Sequence, residues 1–442
     1  MRIYYVLFIA IFLSLILLVF LSVLSASTYY VTPDGNDDNP GTKNLPWKTI
    51  KKVNQQIFLP GDTIYFARNT RFFGGLHIKN NGTAENPIVF TAYETGQAPQ
   101  LVNRKYEFLH GNVIQVSGSF IIIDGLFFKD TLPANRSKGV RARQTGAIYI
   151  TECADYNVVR NCEFENCPMA IQVYGENCLI TQNFIHDCNI FLDYPSWGPV
   201  GIMVATSNNE ISYNHIRNYY AIGGSFGADG GALEIDVSDI PKENISVHHN
   251  YSEDNEGFLE IIAGDIKNVH IHHNISEDFQ EFIFFWGGSD CIVANNTVLC
   301  TKPKNSRVHV VFSFATDSSV IVRNNIFIVA NGLQVFAGDS VYEANHYDQH
   351  HYNNIYHCID GSVQDPVAKP LGKGDMIIDP MFLDFNRRDL HLRPGSPAID
   401  AGVQVDTKFD FDGNTIPFTA APDIGAYEYV GKLVNTKGRK IE

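Results

Sequence analysis

Seven short hydrophobic segments of this chain each close on an asparagine: VVRN ending at 161, ITQN at 183, ISYN at 214, VHHN at 250, IHHN at 274, VANN at 296 and VRNN at 325. The asparagines lie 22, 31, 36, 24, 22 and 29 residues apart. A unit of 22–24 residues with insertions holds three short strands and three turns, and so returns the chain one strand spacing further along an axis. A leucine-rich repeat has a similar period, but these segments are rich in Val, Ile and Thr with alternation and carry no leucine scaffold. The pattern predicts an all-β chain folded as a parallel β-helix. The asparagines should stack as a side-chain ladder in one turn, a structural role.

A second strand recurs in each coil: GAIYIT (146–151), MAIQVYG (169–175), VGIMVAT (200–206), GALEIDV (231–237), GFLEIIAG (257–264) and EFIFFWGG (281–288). Period-2 alternation turns Ile148, Ile171, Ile202, Leu233, Leu259 and Ile283 inward. The intervening residues face outward in two columns. One reads Tyr149, Gln172, Met203, Glu234, Glu260, Phe284; the other reads Thr151, Tyr174, Ala205, Asp236, Ile262, Trp286.

Around the repeat the chain divides into four parts. Residues 1–27 join Arg2 to an apolar run from Tyr4 to Leu24 and then Ser25-Ala26-Ser27, which reads as a signal peptide, with an uncleaved membrane anchor over 4–24 as the alternative. Either reading places the remainder outside the cytoplasm. Residues 28–83 form an entry module, in which Pro46-Trp47 followed by Ile50, Val53 and Ile57 has the spacing of a capping helix. The coils occupy 84–359, and 360–442 form a closing segment punctuated by proline and glycine. Of the eight cysteines, five crowd into 36 residues of the repeat and read as a partial interior stack, with Cys167–Cys188 as a possible bridge. With 48 acidic against 33 basic residues, a net charge of −15 disfavours nucleic acid and anionic membrane surfaces as partners. Glycans remain, and the chain is expected to work as a monomer.

The opening YYVTPDGNDDNPGT with PWKTIKKV, the asparagine coils, and the ending SPAIDAG with PDIGAYEY resemble the exported right-handed parallel β-helix proteins of carbohydrate degradation. That superfamily includes pectate lyases, polygalacturonases and several glycoside hydrolase families, and the resemblance covers nearly the whole mature chain. It implies the pectin lyase-like fold and action on a polysaccharide or oligosaccharide. The polygalacturonase signatures (Asn-x-Asp, paired Asp-Asp, Gly-His-Gly) are absent, so that mechanism is not carried over.

Chemistry is expected where the outward columns gather acids. Glu234 and Glu260 hold equivalent places on neighbouring coils, about 5 Å apart, with Asp236 diagonal to Glu260 at about 7–8 Å. Asp229 and Glu256 precede the same two strands. Like charges stacked in a sheet cost stability, so the arrangement asks for a reason. Three stand side by side: a solvated acidic surface, a Ca²⁺ site formed by Asp229, Asp236 and Glu256, and a carboxylate pair working on a glycosidic bond. The third is preferred, with no cofactor required. Trp286, Phe284, Tyr174, Trp197 and Tyr219 are candidate sugar-stacking rings, as are Tyr220 and Phe226, with His186 as an auxiliary polar contact beside Asp187. The long inserts 184–200 and 218–231 would wall the cleft.

Two competing functions remain. A Ca²⁺-dependent polysaccharide lyase would need a strong base, which the resemblance implies is a Lys or Arg, and Lys242, Lys267 and Arg217 lie nearest. A glycan-binding or adhesin-type β-helix would need no chemistry. The pairs His248-His249 and His272-His273 occupy one place on adjacent coils and read as a turn-side stack; zinc would need a third partner from another direction.

Overall fold

The computed structural model describes residues 26–103, 112–131, 146–192, 197–223, 227–262, 264–302, 311–314, 318–336 and 347–431. The apolar run 4–24 and Phe226 lie outside the described residues. Among the described residues no helix is long and apolar enough to cross a membrane.

Each coil lays down one strand on each of three faces, in the order twelve-stranded, thirteen-stranded, nine-stranded sheet. Thr28–Val31 pairs in parallel with Thr63–Ala67, and that strand with Ile88–Tyr93, so the entry segment already belongs to the helix. At the other end the thirteen-stranded sheet reaches Met376–Ile377, past the point where the sequence period fades. The register stacks Ile148, Ile171, Ile202, Leu233, Leu259 and Ile283 in one interior column, all buried. Burying branched aliphatic side chains in such columns is the main stabilising term, because every coil's apolar side contacts the next.

The asparagine ladder forms at the corner after the twelve-stranded sheet. Asn183, Asn214, Asn250, Asn274, Asn296 and Asn325 each donate from Nδ2 to the Oδ1 of the next asparagine at 2.9–3.0 Å, and the run continues through Asn354 to Asp375. Each Nδ2 also reaches a strand carbonyl on the coil before, as Asn250 does to Ile211 at 2.9 Å. One rung of the sequence reading shifts by a residue. Asn161 is exposed at φ 51° and bonds Asp124, while Cys162 holds the ladder place, its N–H donating to Asn183 Oδ1 at 3.1 Å. The cause is that every coil puts a left-handed residue just before the ladder, including Gln182, Tyr213, His249, His273, Asn295 and Asn324. Asparagine suits both places, so a single Asn is ambiguous where a pair is not.

Six cysteines (162, 167, 178, 188, 291 and 300) are buried and all eight are free, so the bridge considered between Cys167 and Cys188 is not formed. Burial pushes the Cys162, Cys167, Cys178, Cys291 and Cys300 thiols up to about 12. These are packing groups, not reactive ones. In the entry segment the helix is a short one, Ile50–Asn54, with Ile50 and Val53 in the core. Ile57 is 79% exposed, so the helical spacing stops before it. The closing segment lies against the outside of the thirteen-stranded sheet, where Phe382, Leu390, Leu392, Ala398, Ile424 and Ala426 pack on Ile275, Leu299, Ile326 and Ile328.

Two consequences can be measured. Asn250 is fully buried and joins three coils, accepting from Asn214 N at 3.0 Å while donating to Ile211 O and Asn274 Oδ1. Asn250→Ala leaves those groups unpaired, and chemical denaturation should show a loss on the order of 3 kcal/mol. In the closing segment His391 bridges Asp412 at 2.8 Å and Asp389 at 2.6 Å, which raise its pKa from 6.5 to about 9 against the pull of burial. The folded chain therefore keeps a proton that the unfolded chain loses above about 6.5; this stabilisation is full below that pH and fades as pH rises through 9. Melting curves of His391→Gln should lack that part of the alkaline decline.

Candidate active site

The outward face of the nine-stranded sheet carries one continuous column. Register pairs Tyr149 with Gln172, Gln172 with Met203, Met203 with Glu234, Glu234 with Glu260, and Glu260 with Phe284. Tyr149, Gln172, Met203 and Glu234 are buried although they point away from the core, so this face is a sheltered floor. The neighbouring column follows in step: Tyr174, Ala205, Asp236, Ile262 and Trp286 each donate a backbone N–H to the coil before. Between the Tyr149 and Phe284 rungs lie five strand spacings, about 24 Å, room for several sugar rings.

Glu234 and Glu260 thus stack on adjacent coils, and Asp236 lies one column over. Glu234 is 3% exposed and Glu260 half-buried. Their column neighbours are Met203 on one side and Phe284 on the other. Asp236 Oδ1 accepts from Val237 N at 2.6 Å. Close to it, Lys242 donates from Nζ to Val237 O at 2.8 Å and Ile240 O at 2.6 Å; burial lowers its pKa, and Asp236 works against that fall.

The two inserts build a wall where the thirteen-stranded sheet turns into the nine-stranded one. Phe184–Leu192 and His215–Gly223 pair along their length, and Ala221 pairs back with Asp229 in a hairpin. Asp229 fastens the wall: its Oδ2 accepts from Gly198 N at 3.0 Å and its Oδ1 from Gly230 N at 2.8 Å. A Cβ on Gly198 would stand 2.3 Å from the Asp229 backbone, so only glycine lets the two inserts approach this closely. Trp197, beside it, is exposed. Glu256 is buried on the next coil and accepts from Gln280 Nε2. Gln280 was not singled out from sequence; its place directly before the following strand, where Glu256 precedes its own, is the signal that could have found it.

Aromatic rings flank the acids at both ends. Phe284 and Trp286 meet edge to face at 5.3 Å, and Tyr149 and Tyr174 at 5.4 Å. Burial pushes the Tyr149 hydroxyl up to about 12, with Glu152 and Tyr174 adding to the rise. Of these rings Tyr149 is buried, whereas Tyr174, Phe284 and Trp286 are part-exposed.

Three expectations are corrected. Tyr219 is a core residue, fully buried with its hydroxyl donating to Cys167 O at 2.7 Å, because its inward register places it in the column of Cys188. It cannot stack on a ligand. His186 belongs to the thirteen-stranded sheet, packed on Phe184 at 4.1 Å. Burial works against its charge, but its bonds to Glu163 at 3.4 Å and Asp187 at 2.8 Å raise its pKa, a local ion-pair role away from the acidic column. Asp229, Asp236 and Glu256 are not brought together as a converging group of three ligand atoms. Among the described residues the one such group of three is His248, His249 and His272, on the twelve-stranded side.

Comparison with known proteins agrees on architecture. Residues 114–298 match the family described as "Right handed beta helix region". An uncharacterized protein, YwoF of Bacillus subtilis, is 31% identical over 87 residues, 19% of this chain and 18% of that protein. Pectate lyase PEL9 of Emericella nidulans is 29% identical over 147 residues, 33% of this chain and 30% of that enzyme. The matched stretches thus span less than a third of either relative. The crystal structure of pectate lyase Pel9A superposes with a TM-score of 0.53 at 14% identity, covering 92% of this chain and 98% of that one. The fold is the right-handed parallel β-helix that the sequence resembles.

Reassigning Tyr219 gives a direct test. Tyr219→Phe removes a buried donor from Cys167 O and should cost about 1–3 kcal/mol in denaturation, with ligand binding unchanged in calorimetry.

Proposed function

We propose that this protein is an extracytoplasmic glycoside hydrolase, acting as a monomer on a polysaccharide laid along the nine-stranded sheet. The observation that carries the reading is the register that sets Glu234 directly against Glu260 on adjacent coils, with Phe284 and Trp286 on the next. A solenoid has no need to stack two carboxylates, since like charges opposite each other destabilise a sheet. Glycosidic cleavage does need two carboxyl groups: one gives a proton to the leaving oxygen, and the other attacks the anomeric carbon or activates water. Stacked groups at about 5 Å suit the retaining course, and the diagonal from Asp236 to Glu260, at about 7–8 Å, suits the inverting one. Trp286, Phe284, Tyr174 and Trp197 hold the sugar rings, and the wall fastened by Asp229 keeps them over the acids.

The second reading, a Ca²⁺-dependent lyase cleaving beside a uronate, draws on the match to Pectate lyase PEL9. It needs a strong base, a Lys or Arg in its neutral form, beside the acids. Lys242 has its ammonium turned onto two carbonyls, Lys267 is paired with Asp265 at 2.9 Å, and Arg217 lies over Phe184 on the thirteen-stranded sheet. That placement favours hydrolysis.

Incubation with plant, algal and bacterial polysaccharides separates the readings. The hydrolase gives new reducing ends with no ultraviolet-absorbing unsaturated sugar; an unsaturated product moves the assignment to the lyase. On the substrate so found, Glu234→Gln and Glu260→Gln should each lower kcat about 10²–10⁴-fold with binding retained. Wild-type rates in both variants and in Asp236→Asn would exclude this site.

A further inference from the structure

We propose that His248, His249 and His272 hold a divalent first-row transition-metal ion of the Zn²⁺ class, which clasps the closing segment to the twelve-stranded side of the helix. The donor set is geometric in origin. His248 and His272 are paired in register on neighbouring strands, and their rings stack at 4.7 Å within 3° of parallel. His249, next in the chain at φ 54°, turns its ring nearly perpendicular to His248 and brings Nδ1 to 2.8 Å from His248 Nδ1. One donor nitrogen from each of the three lies within 4.8 Å of the others. Parallel rings alone would not converge on an ion. The left-handed turn supplies the second direction.

Hydrogen bonding on the far side of each ring fixes where the lone pairs point. His249 Nε2 lies 2.9 Å from Asp410 O and 3.2 Å from Phe409 O, and carbonyl oxygens only accept, so Nε2 carries the hydrogen. His248 Nε2 lies 3.2 Å from Glu210 Oε1, an acceptor as well, and carries a hydrogen for the same reason. With one hydrogen on each Nε2, the Nδ1 atoms are the nitrogens left to face an ion, and they face each other at 2.8 Å. A cation between them, a proton or a metal ion, satisfies both nitrogens. Metal-bound histidines characteristically donate their other N–H to a backbone carbonyl or a carboxylate, the two partners found here. Imidazole donors suit Zn²⁺ and its neighbours rather than Ca²⁺. Binding draws the His272 ring out of its parallel stack, and water or His273, whose Nδ1 is 3.1 Å from His272 Nδ1, completes the shell.

The position gives the ion a structural task. His249 reaches the closing segment through Phe409, Asp410 and Phe411, whose ring stacks on it at 6.3 Å. The cluster belongs to the twelve-stranded side and the paired glutamates to the nine-stranded sheet, so it stands apart from the proposed catalytic face.

The test uses the full chain, stripped with EDTA and titrated with Zn²⁺ and with Co²⁺. One equivalent should survive gel filtration, Co²⁺ should show the intense visible bands of a four-coordinate nitrogen site, and the melting temperature should rise on loading. His272→Asn and His248→Asn should each weaken Co²⁺ binding at least tenfold, as each removes one ligand, while the unloaded variants stay folded. No stoichiometric uptake by the wild-type chain overturns the proposal and leaves a shared proton as the cation. Uptake that is unchanged in both variants overturns it too, since the ion then sits elsewhere.

Discussion

Everything in this molecule depends on the parallel register between successive coils. Each strand bonds the strand one coil earlier and one coil later, so a residue's neighbours are fixed by the sequence distance around one turn. Equivalent residues therefore stack whether or not stacking suits them. Where side chains are apolar, the result is a core of columns, from Ile148 to Ile283 on one face. Asparagines gain a continuous ladder from the same rule, each amide closing a carbonyl that the corner would otherwise strand. Two glutamates gain an arrangement that an ordinary sheet avoids.

That enforced stacking also joins structure to chemistry. On the nine-stranded sheet the column runs from tyrosine through glutamine and methionine to two glutamates and a phenylalanine, a gradient from aromatic to acidic to aromatic along one sheltered strip. Insertions cannot enter the strands without breaking the ladder, so they accumulate at corners. Two of them make a paired ridge beside this strip, held by Asp229 against Gly198. The fold alone does not name a reaction, since one scaffold hosts many. The proposed site rests on the residues of this strip.

Much of this was legible in the sequence, and the reason is periodicity. A repeat read against period-2 alternation assigns a face to each residue, and so pairs Glu234 with Glu260 from sequence alone. Legibility failed where one letter serves two roles or where a turn rotates the chain. Asn161 took the left-handed place and Cys162 the ladder place, because asparagine fits both. Tyr219 looked like an insert aromatic and proved to be interior, since the strand before it runs on around the corner without a break. The histidine group shows the same limit from the other side. Its stacking follows from register, but the His249 ring is oriented by the Phe409 and Asp410 carbonyls, which are some 160 residues away along the chain.

The central claim is that a glycan lies along the nine-stranded sheet with its scissile bond at the Glu234–Glu260 rungs. A crystal structure of Glu234→Gln soaked with an oligosaccharide of the active polysaccharide tests it most directly. The account predicts sugar rings running between Tyr174 and Trp286, with a glycosidic oxygen against residues 234 and 260. Ordered sugar on the twelve- or thirteen-stranded face, and none on this strip, would contradict it.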